Sequence, residues 1–220
     1  MSETPAAEWL LWLAAAMIVI SSIVAITKDQ LKARLAWSTI GQLAYMTAAA
    51  LMAGSAAVVA GGVHMLTHAF GKITLFMCAG AIYVATSRTK VSELSGMGRS
   101  MPWLFAAWTV GALSVSGLPP FGGMWSKFLL MEAAVDRGYM FVVWALIGSS
   151  LLSVYYLVSI SFRAFLPPPG EGEGAVRIKS REMVRLCVVA LCLTALGAFL
   201  LFFLADGVAH YLAPIGEEGP

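Results

Sequence analysis

His64, His68 and Lys72 recur at i, i+4 and i+8 inside an apolar segment. At about 100° per residue, a helix stacks all three along one side. From Leu35 to Ser87, Lys72 is the only Lys, Arg, Asp or Glu. A histidine titrates near neutrality with little tuning, and surroundings can bring a lysine there too. Three such groups in register, deep in an apolar helix, read as a proton path. A second isolated lysine, Lys127, follows the segment Gly117-Leu118-Pro119-Pro120-Phe121-Gly122-Gly123. An ionised lysine at mid-bilayer costs about 2.5–3.5 kcal/mol on insertion scales, so two of them call for a reason. Snorkelling to the membrane edge is a poor account of Lys72, which lies near the centre of its segment, and a better one for Lys127.

Other polar groups near these four have competing explanations. Glu132 could end the path at the outer surface or be an ordinary edge-of-span charge, and Asp136 reads as a solvated loop residue. Ser38, Thr39 and Gln42 could hold water, or could be hydrogen-bonding glue between helices. A lone histidine on an apolar helix is ordinarily a satisfied structural group, and His210 reads that way. Haem or metal ligation by His64 and His68 is weakened because the chain has no second intramembrane histidine cluster. The methionines and aromatics are scattered as in any lipid-exposed bundle.

The elements that must position these groups are membrane spans. The chain of 220 residues is 60% hydrophobic and 12% charged, with a mean hydropathy of +0.83. Soluble domains carry roughly 25% charged residues, so this is an all-α polytopic membrane protein with no soluble domain. The early apolar run is too long for a signal peptide. Spans are expected at about 9–27, 35–53, 58–85, 102–135, 139–161 and 184–204, with an exposed loop at 166–182. Gly54-Ser55 separates the second span from the third. The fourth is too long to cross unbroken and is expected to break at 117–123. There two prolines remove donors, and Gly117, Gly122 and Gly123 free the backbone. Irregular backbone at membrane depth is tolerated only beside protein or a watery cavity, and discontinuous helices line ion paths in transporters.

Six spans put the loops at 28–34, 86–101 and 163–185 on one side. These hold Lys28, Lys32, Arg34, Arg88, Lys90, Arg99, Arg163, Arg177, Lys179, Arg181 and Arg185, which is 11 of the 14 basic residues. The other side has only Arg137. The positive-inside rule makes the basic face cytoplasmic and puts both termini outside, in the cell membrane. Cys78, Cys187 and Cys192 show no metal or redox spacing. No phosphate-cradling loop, dinucleotide fingerprint or nucleophile elbow is present, so no recognisable cofactor, no nucleic acid and no catalytic chemistry in the chain itself are expected.

Three stretches together resemble the antiporter-like proton-pumping subunits shared by respiratory complex I, membrane-bound hydrogenases and Mrp-type cation/proton antiporters. They are residues 29–46, residues 64–82 from His64 to Ile82, and residues 117–127 from Gly117 to Lys127. The resemblance implies helices nine to fourteen of a fourteen-helix subunit, the second inverted repeat plus the last helix. It implies that His68 and Lys72 belong to a central hydrophilic axis and that His64 occupies a further polar position on it. Lys127, in the broken helix, would be the terminal proton-exchanging residue of the half-channel. Residues 78–84 and 96–102 are most similar to the D-type component of the Mrp antiporters. Gly71 stands where the family commonly has a large aromatic, and Phe128 where many members carry an acid. Neither departure removes a proton carrier.

The first repeat, with its own buried Glu and Lys, is absent, and the Met-Ser-Glu-Thr start looks like a true N-terminus. The leading expectation is therefore a split antiporter-like subunit that conducts protons beside other membrane subunits, among them a chain carrying the missing repeat. Protons and Na⁺ would be the transported ions in an Mrp-type complex. The alternatives are a subunit of a redox-driven pump of the complex I or hydrogenase type, a non-conducting structural remnant (or truncation), and a haem- or quinone-reactive subunit.

Overall fold

A computed structural model describes residues 5–166 and 181–217, with side chains described over 5–166 and 187–215. The expected loop at 166–182 lies almost wholly outside the described residues. The chain runs α1 (Pro5–Thr27), α2 (Leu31–Met52), α3 (Ser55–Thr86), α4 (Met97–Ser100), α5 (Pro102–Ser116), α6 (Gly123–Asp136), α7 (Met140–Ser153), α8 (Ser159–Phe165) and α9 (Arg181–Glu217). A 3₁₀ turn, Val91–Leu94, precedes α4, and a π-helical segment, Val154–Val158, joins α7 to α8.

This is an all-α polytopic membrane protein, and its described residues make six passes: α1, α2, α3, the α5–α6 pair, α7 through α8, and α9. By length and composition, Pro5–Thr27, Ser55–Thr86, Met140–Phe165 and Cys187–Ile215 could each cross a membrane alone. The remaining two passes fall short of that, one in hydropathy and the other in helix length. Lys32 and Arg34 open α2, while α5 and α6 have 15 and 14 residues, each about 21–22 Å long and too short to cross singly.

Local chemistry sets the ends of the elements. Pro102 starts α5, where its missing N–H is one of the orphans anyway. The break between α2 and α3 is a backbone turn, with positive φ at Ala53 (43°) and Gly54 (152°). A side chain on Gly54 would run into the Arg137 guanidinium, so the α2–α3 and α6–α7 turns meet at one end of the bundle. At the other end, Leu31 N–H donates to Thr89 C=O (2.8 Å) and Val91 N–H to Asp29 C=O (2.8 Å), joining the loops on either side of α2–α3.

The Asp29 carboxylate accepts from Ser92 N–H (3.0 Å) and Ser92 Oγ (2.8 Å). Burial nudges its pKa up, but these bonds, with Lys90 and Arg34 nearby, prevail and hold it below the ordinary 3.8. A depressed carboxylate contributes stability above its unfolded value that is lost as pH falls through the folded one. Protection of the Ser92 amide, its exchange slowed relative to the same amide in an unfolded chain, is therefore expected to fall as pH drops below about 4 in wild type, and to be low and pH-insensitive across that range in Asp29→Ala.

The core has two apolar clusters with a polar layer between them. One cluster gathers Leu31, Leu35, Leu75, Ile82, Trp108 and Tyr156 with their neighbours, and the other gathers Leu11, Ile18, Tyr45, Met52, Leu130 and Leu146. Five passes change character at the same level. In α1 it is Ser21 and Ser22, in α2 Ser38 and Gln42, and in α3 the His64–Lys72 turns. In α5–α6 it is Ser114, Ser116, Ser126 and Lys127, and in α7 Ser149 and Ser153. Ser22 and Ser149 Oγ atoms bond across α1 and α7 at 2.7 Å. Without a hydrophobic drive between helices in lipid, such bonds and close packing hold the bundle.

The π-segment shifts the helix hydrogen-bond pattern at the edge of this layer. Side chains serve its carbonyls: Arg34 Nη1 donates to Tyr156 C=O (3.3 Å) and Trp108 Nε1 to Leu157 C=O (3.2 Å).

Candidate functional site

The four groups singled out by spacing all lie in the polar layer and are all buried: His64 is 2% exposed, His68 8%, Lys72 5% and Lys127 4%. The α3 helix runs unbroken through the first three, so their i, i+4, i+8 register is realised as one row. Lys72 reaches across to α2, where its Nζ donates to Leu35 C=O (3.2 Å) and Ser38 Oγ (2.6 Å). Ser38 Oγ also accepts from the Tyr156 hydroxyl at 2.9 Å, which ties the lysine to the π-segment.

The helix break shapes the Lys127 site. Gly117 ends α5 in the left-handed region (φ 83°), and its N–H closes on Leu113 and Ser114 carbonyls. A Cβ on Gly117 would strike the Lys127 side chain, and one on Gly123 would fall on the Ser114 carbonyl oxygen. Pro119 and Pro120 fill the short link between the half-helices, and Gly122 N–H donates to Ala198 C=O of α9 (3.2 Å). The link thus lets the start of α6 press against the end of α5. Lys127 Nζ then donates to the Ser116 carbonyl (3.0 Å), at the negative end of the α5 dipole, and to Ser150 Oγ (3.0 Å).

The two lysine sites are built alike. Each amine has one carbonyl and one hydroxyl as acceptors, and no Asp or Glu is buried among the described residues. A neutral amine has two hydrogens to donate and an ammonium three. Two neutral acceptors therefore serve either form, whereas a carboxylate would fix the ammonium.

Between the lysines lie the two histidines and Tyr45. His64 Nδ1 and Ser126 Oγ are 3.0 Å apart. The His64 ring stacks on His68 (centroids 5.8 Å) and on Tyr45 (5.1 Å). The other face of the link is electrostatic, with Lys127 Nζ over the Tyr45 ring at 5.3 Å. Tyr45 is fully buried, and its hydroxyl donates to Leu146 C=O (3.2 Å). Gln42 Oε1, His64 Nε2, His68 Nδ1, Ser114 Oγ and Ser116 Oγ are buried without a hydrogen-bond partner among the described residues. A cleft of about 280 Å³ reaches Lys127 from the side of the bundle, between Met124, Phe128, Met131 and Leu151.

The structure therefore brings together His64, His68, Lys72, Lys127, Ser38 and Gln42. It does not bring in Glu132, which is exposed on α6. Five residues beyond Lys127 is about 140° around a helix, off the lysine face. Glu132→Gln is expected to change proton transport by no more than about twofold, measured as the initial rate of pH change in membrane vesicles. Tyr45, Ser126, Ser150 and Tyr156 went unnoticed in the sequence. Ser38, Gln42 and Tyr45 stand at i, i+4 and i+7, as do Ser149, Ser153 and Tyr156, and that spacing was the available signal for the two tyrosines; Ser126 and Ser150 fall in neither row.

The comparisons with known proteins place this all-helical bundle, with its broken helix and buried lysines, in a family of membrane proteins. Residues 1–153 match the family described as NADH:quinone oxidoreductase/Mrp antiporter, transmembrane, and the chain belongs to that family. Subunit N of the NADH-quinone oxidoreductase of Desulforudis audaxviator is 30% identical over 209 residues, covering 89% of this chain and 42% of that protein. Subunit N of the F420H2 dehydrogenase of Methanosarcina mazei is 28% identical, covering 73% and 35%. The chain thus spans about two-fifths of the length of the curated relatives it matches. Among solved structures, an archaeal membrane-bound sulfane sulfur reductase shares the fold, with a TM-score of 0.83 at 24% identity over 96% of this chain and 42% of that one. The Mrp complex of Dietzia does so with a TM-score of 0.72 at 22% identity, over 94% and 47%.

Proposed function

We propose that these residues form a proton-conducting half of an antiporter-like subunit within a larger membrane complex, and that protons cross its centre between Lys72 and Lys127 by way of His68 and His64. The observation that carries this reading is the pair of buried lysines, each held by neutral acceptors alone, at the two ends of a continuous polar layer. A buried polar atom without a partner is costly, and a polar, enclosed site is where water binds. Water on the unpartnered atoms of Gln42, His64, His68, Ser114 and Ser116 would complete the relay between the side chains. The cleft beside Lys127 supplies the exchange point.

The driving event belongs to partner chains. In the first reading the complex is of the Mrp type and exchanges protons for Na⁺, with this chain in the place of the D-type component. In the second, which the names of its curated relatives favour, electron transfer in a complex I-like assembly drives the same path. Either way, the complex sits in the cell membrane, and the basic end of the bundle faces the cytoplasm with both termini of these 220 residues outside.

Lys72→Ala is expected to assemble normally and lose coupled transport, and unchanged transport in assembled complex would overturn the relay. A gentle-detergent pull-down from native membranes, read by mass spectrometry, separates the two settings. Small antiporter subunits identify cation exchange, and iron–sulfur subunits identify redox drive. Recovery of the chain alone would favour a remnant without a pump.

A further inference from the structure

We infer that the groove between the ends of α2 and α3 at the basic end of the bundle binds the phosphate headgroup of an anionic lipid. This groove, of about 130 Å³, is lined by Gln30, Lys32, Tyr83, Arg88 and Thr89, well away from the polar layer. Its polar lining has two cationic side chains with amide and hydroxyl groups that can donate, and contains no carboxylate. Lys32 Nζ sits over the Tyr83 ring at 5.5 Å, which holds the ammonium at the mouth of the groove instead of leaving it to swing into water. Arg88 is anchored through Nη1 on the Glu93 carbonyl (2.7 Å), so its guanidinium is also held in place.

The two nearest carboxylates are turned elsewhere. Asp29 is engaged by Ser92 through both oxygens, and Glu93 Oε2 accepts the backbone N–H groups of Thr89 and Lys90 (both 3.3 Å). Neither neutralises the groove by a direct contact. An anion there meets Lys32, an Arg88 fork suited to phosphate, and the Thr89 hydroxyl.

What lies below the groove selects a lipid over free phosphate. Ala36 and Ile40 continue the Lys32 face of α2 at i+4 and i+8, and both are exposed. On α3, Tyr83 is followed toward the bilayer centre by Gly80, Phe76 and Ile73, at i−3, i−7 and i−10. Phe76 and Ile73 are 37% and 50% exposed, and Gly80 has open space where a side chain would be. A headgroup in the groove would therefore have an apolar furrow directly beneath it for its acyl chains. Basic pockets between helices at a membrane surface are sites of this kind.

The test uses the full chain purified in neutral detergent with phosphatidylglycerol as the probe, read by thermal shift and by native mass spectrometry. Phosphatidylglycerol is expected to raise the melting temperature and bind with saturation, while phosphatidylcholine and inorganic phosphate at equal concentration do not. Each basic side chain near an anionic partner is worth about fivefold. The double variant Lys32→Gln/Arg88→Gln is therefore expected to bind phosphatidylglycerol about 25-fold more weakly, and Lys90→Gln, at the same end but outside the groove, to bind as wild type. Equal binding by the double variant, equal loss in Lys90→Gln, or an equal effect of phosphatidylcholine or phosphate would each overturn the assignment. The wild-type protein gives an arm that needs no variant. A phosphatidylglycerol carrying a headgroup photo-crosslinker should label residues 30–32 and 83–89, and labelling confined to other regions would also overturn it.

Discussion

Lys127→Ala is expected to cut coupled proton transport at least about 100-fold, the scale on which a positioned proton carrier contributes, while the protein still reaches the membrane and assembles. The substitution removes the donor to the Ser116 carbonyl and Ser150 hydroxyl and the cation over Tyr45. Leaving one buried acceptor unpaired costs about 1–3 kcal/mol, which a folded domain of ordinary stability withstands. Lys127→Gln sharpens the test. Its amide can still donate hydrogen bonds in the same region but cannot take up or release a proton, so transport should fail equally. Both are checked by pH-dye quenching in vesicles normalised to assembled complex, and a Lys127→Gln protein transporting at the wild-type rate would remove Lys127 from the path.

Gly123→Val is expected to have the largest effect on the fold. A Cβ at this position falls on the Ser114 carbonyl oxygen, and the obstructing atom is backbone, not a side chain that can swing away. Overpacking ordinarily costs about 1–3 kcal/mol, and separating the ends of α5 and α6 adds the loss of the Lys127 bonds that span them. The amount of protein in the membrane should fall several-fold, with faster proteolysis of what remains. Gly148→Ala, on α7, is the matched control, because a Cβ there meets nothing within 4 Å. It should be neutral or stabilise by up to about 1 kcal/mol through helix propensity.

The difference between these two glycines marks where sequence reading ends. That Gly117, Pro119, Pro120, Gly122 and Gly123 interrupt a helix is legible because proline and glycine act locally. The row of His64, His68 and Lys72 is legible for the same reason: helical register is a local rule, and charge is rare at membrane depth. Six passes and a broken fourth follow from lengths and breakers.

The polar layer was not legible, because it exists only once the helices are set at matching heights. Ser22, Ser149 and Ser126 are each ordinary in an apolar helix, where a serine can bond its own backbone, and their shared level is a tertiary fact. Tyr45 looks like any membrane aromatic until it lies between a histidine ring and an ammonium. The π-segment at Val154–Val158 has no sequence signature, yet it carries the tyrosine that shares Ser38 with Lys72. Glu132 was left open in the sequence between a path end and an edge-of-span charge, and its exposure fits the second. It is near Lys127 in sequence, but helix geometry turns it away.

The most direct test of the proton relay is the rate of proton flux into proteoliposomes holding the complete assembly, compared between wild type and Lys72→Arg/Lys127→Arg. Arginine keeps the positive charge and donates hydrogen bonds, but it does not deprotonate in proteins. The relay requires both lysines to release and regain a proton, so the double variant should assemble with its partners and show flux no higher than protein-free liposomes. Wild-type flux in the fully assembled arginine variant would mean that protons cross elsewhere or that this chain only scaffolds the complex.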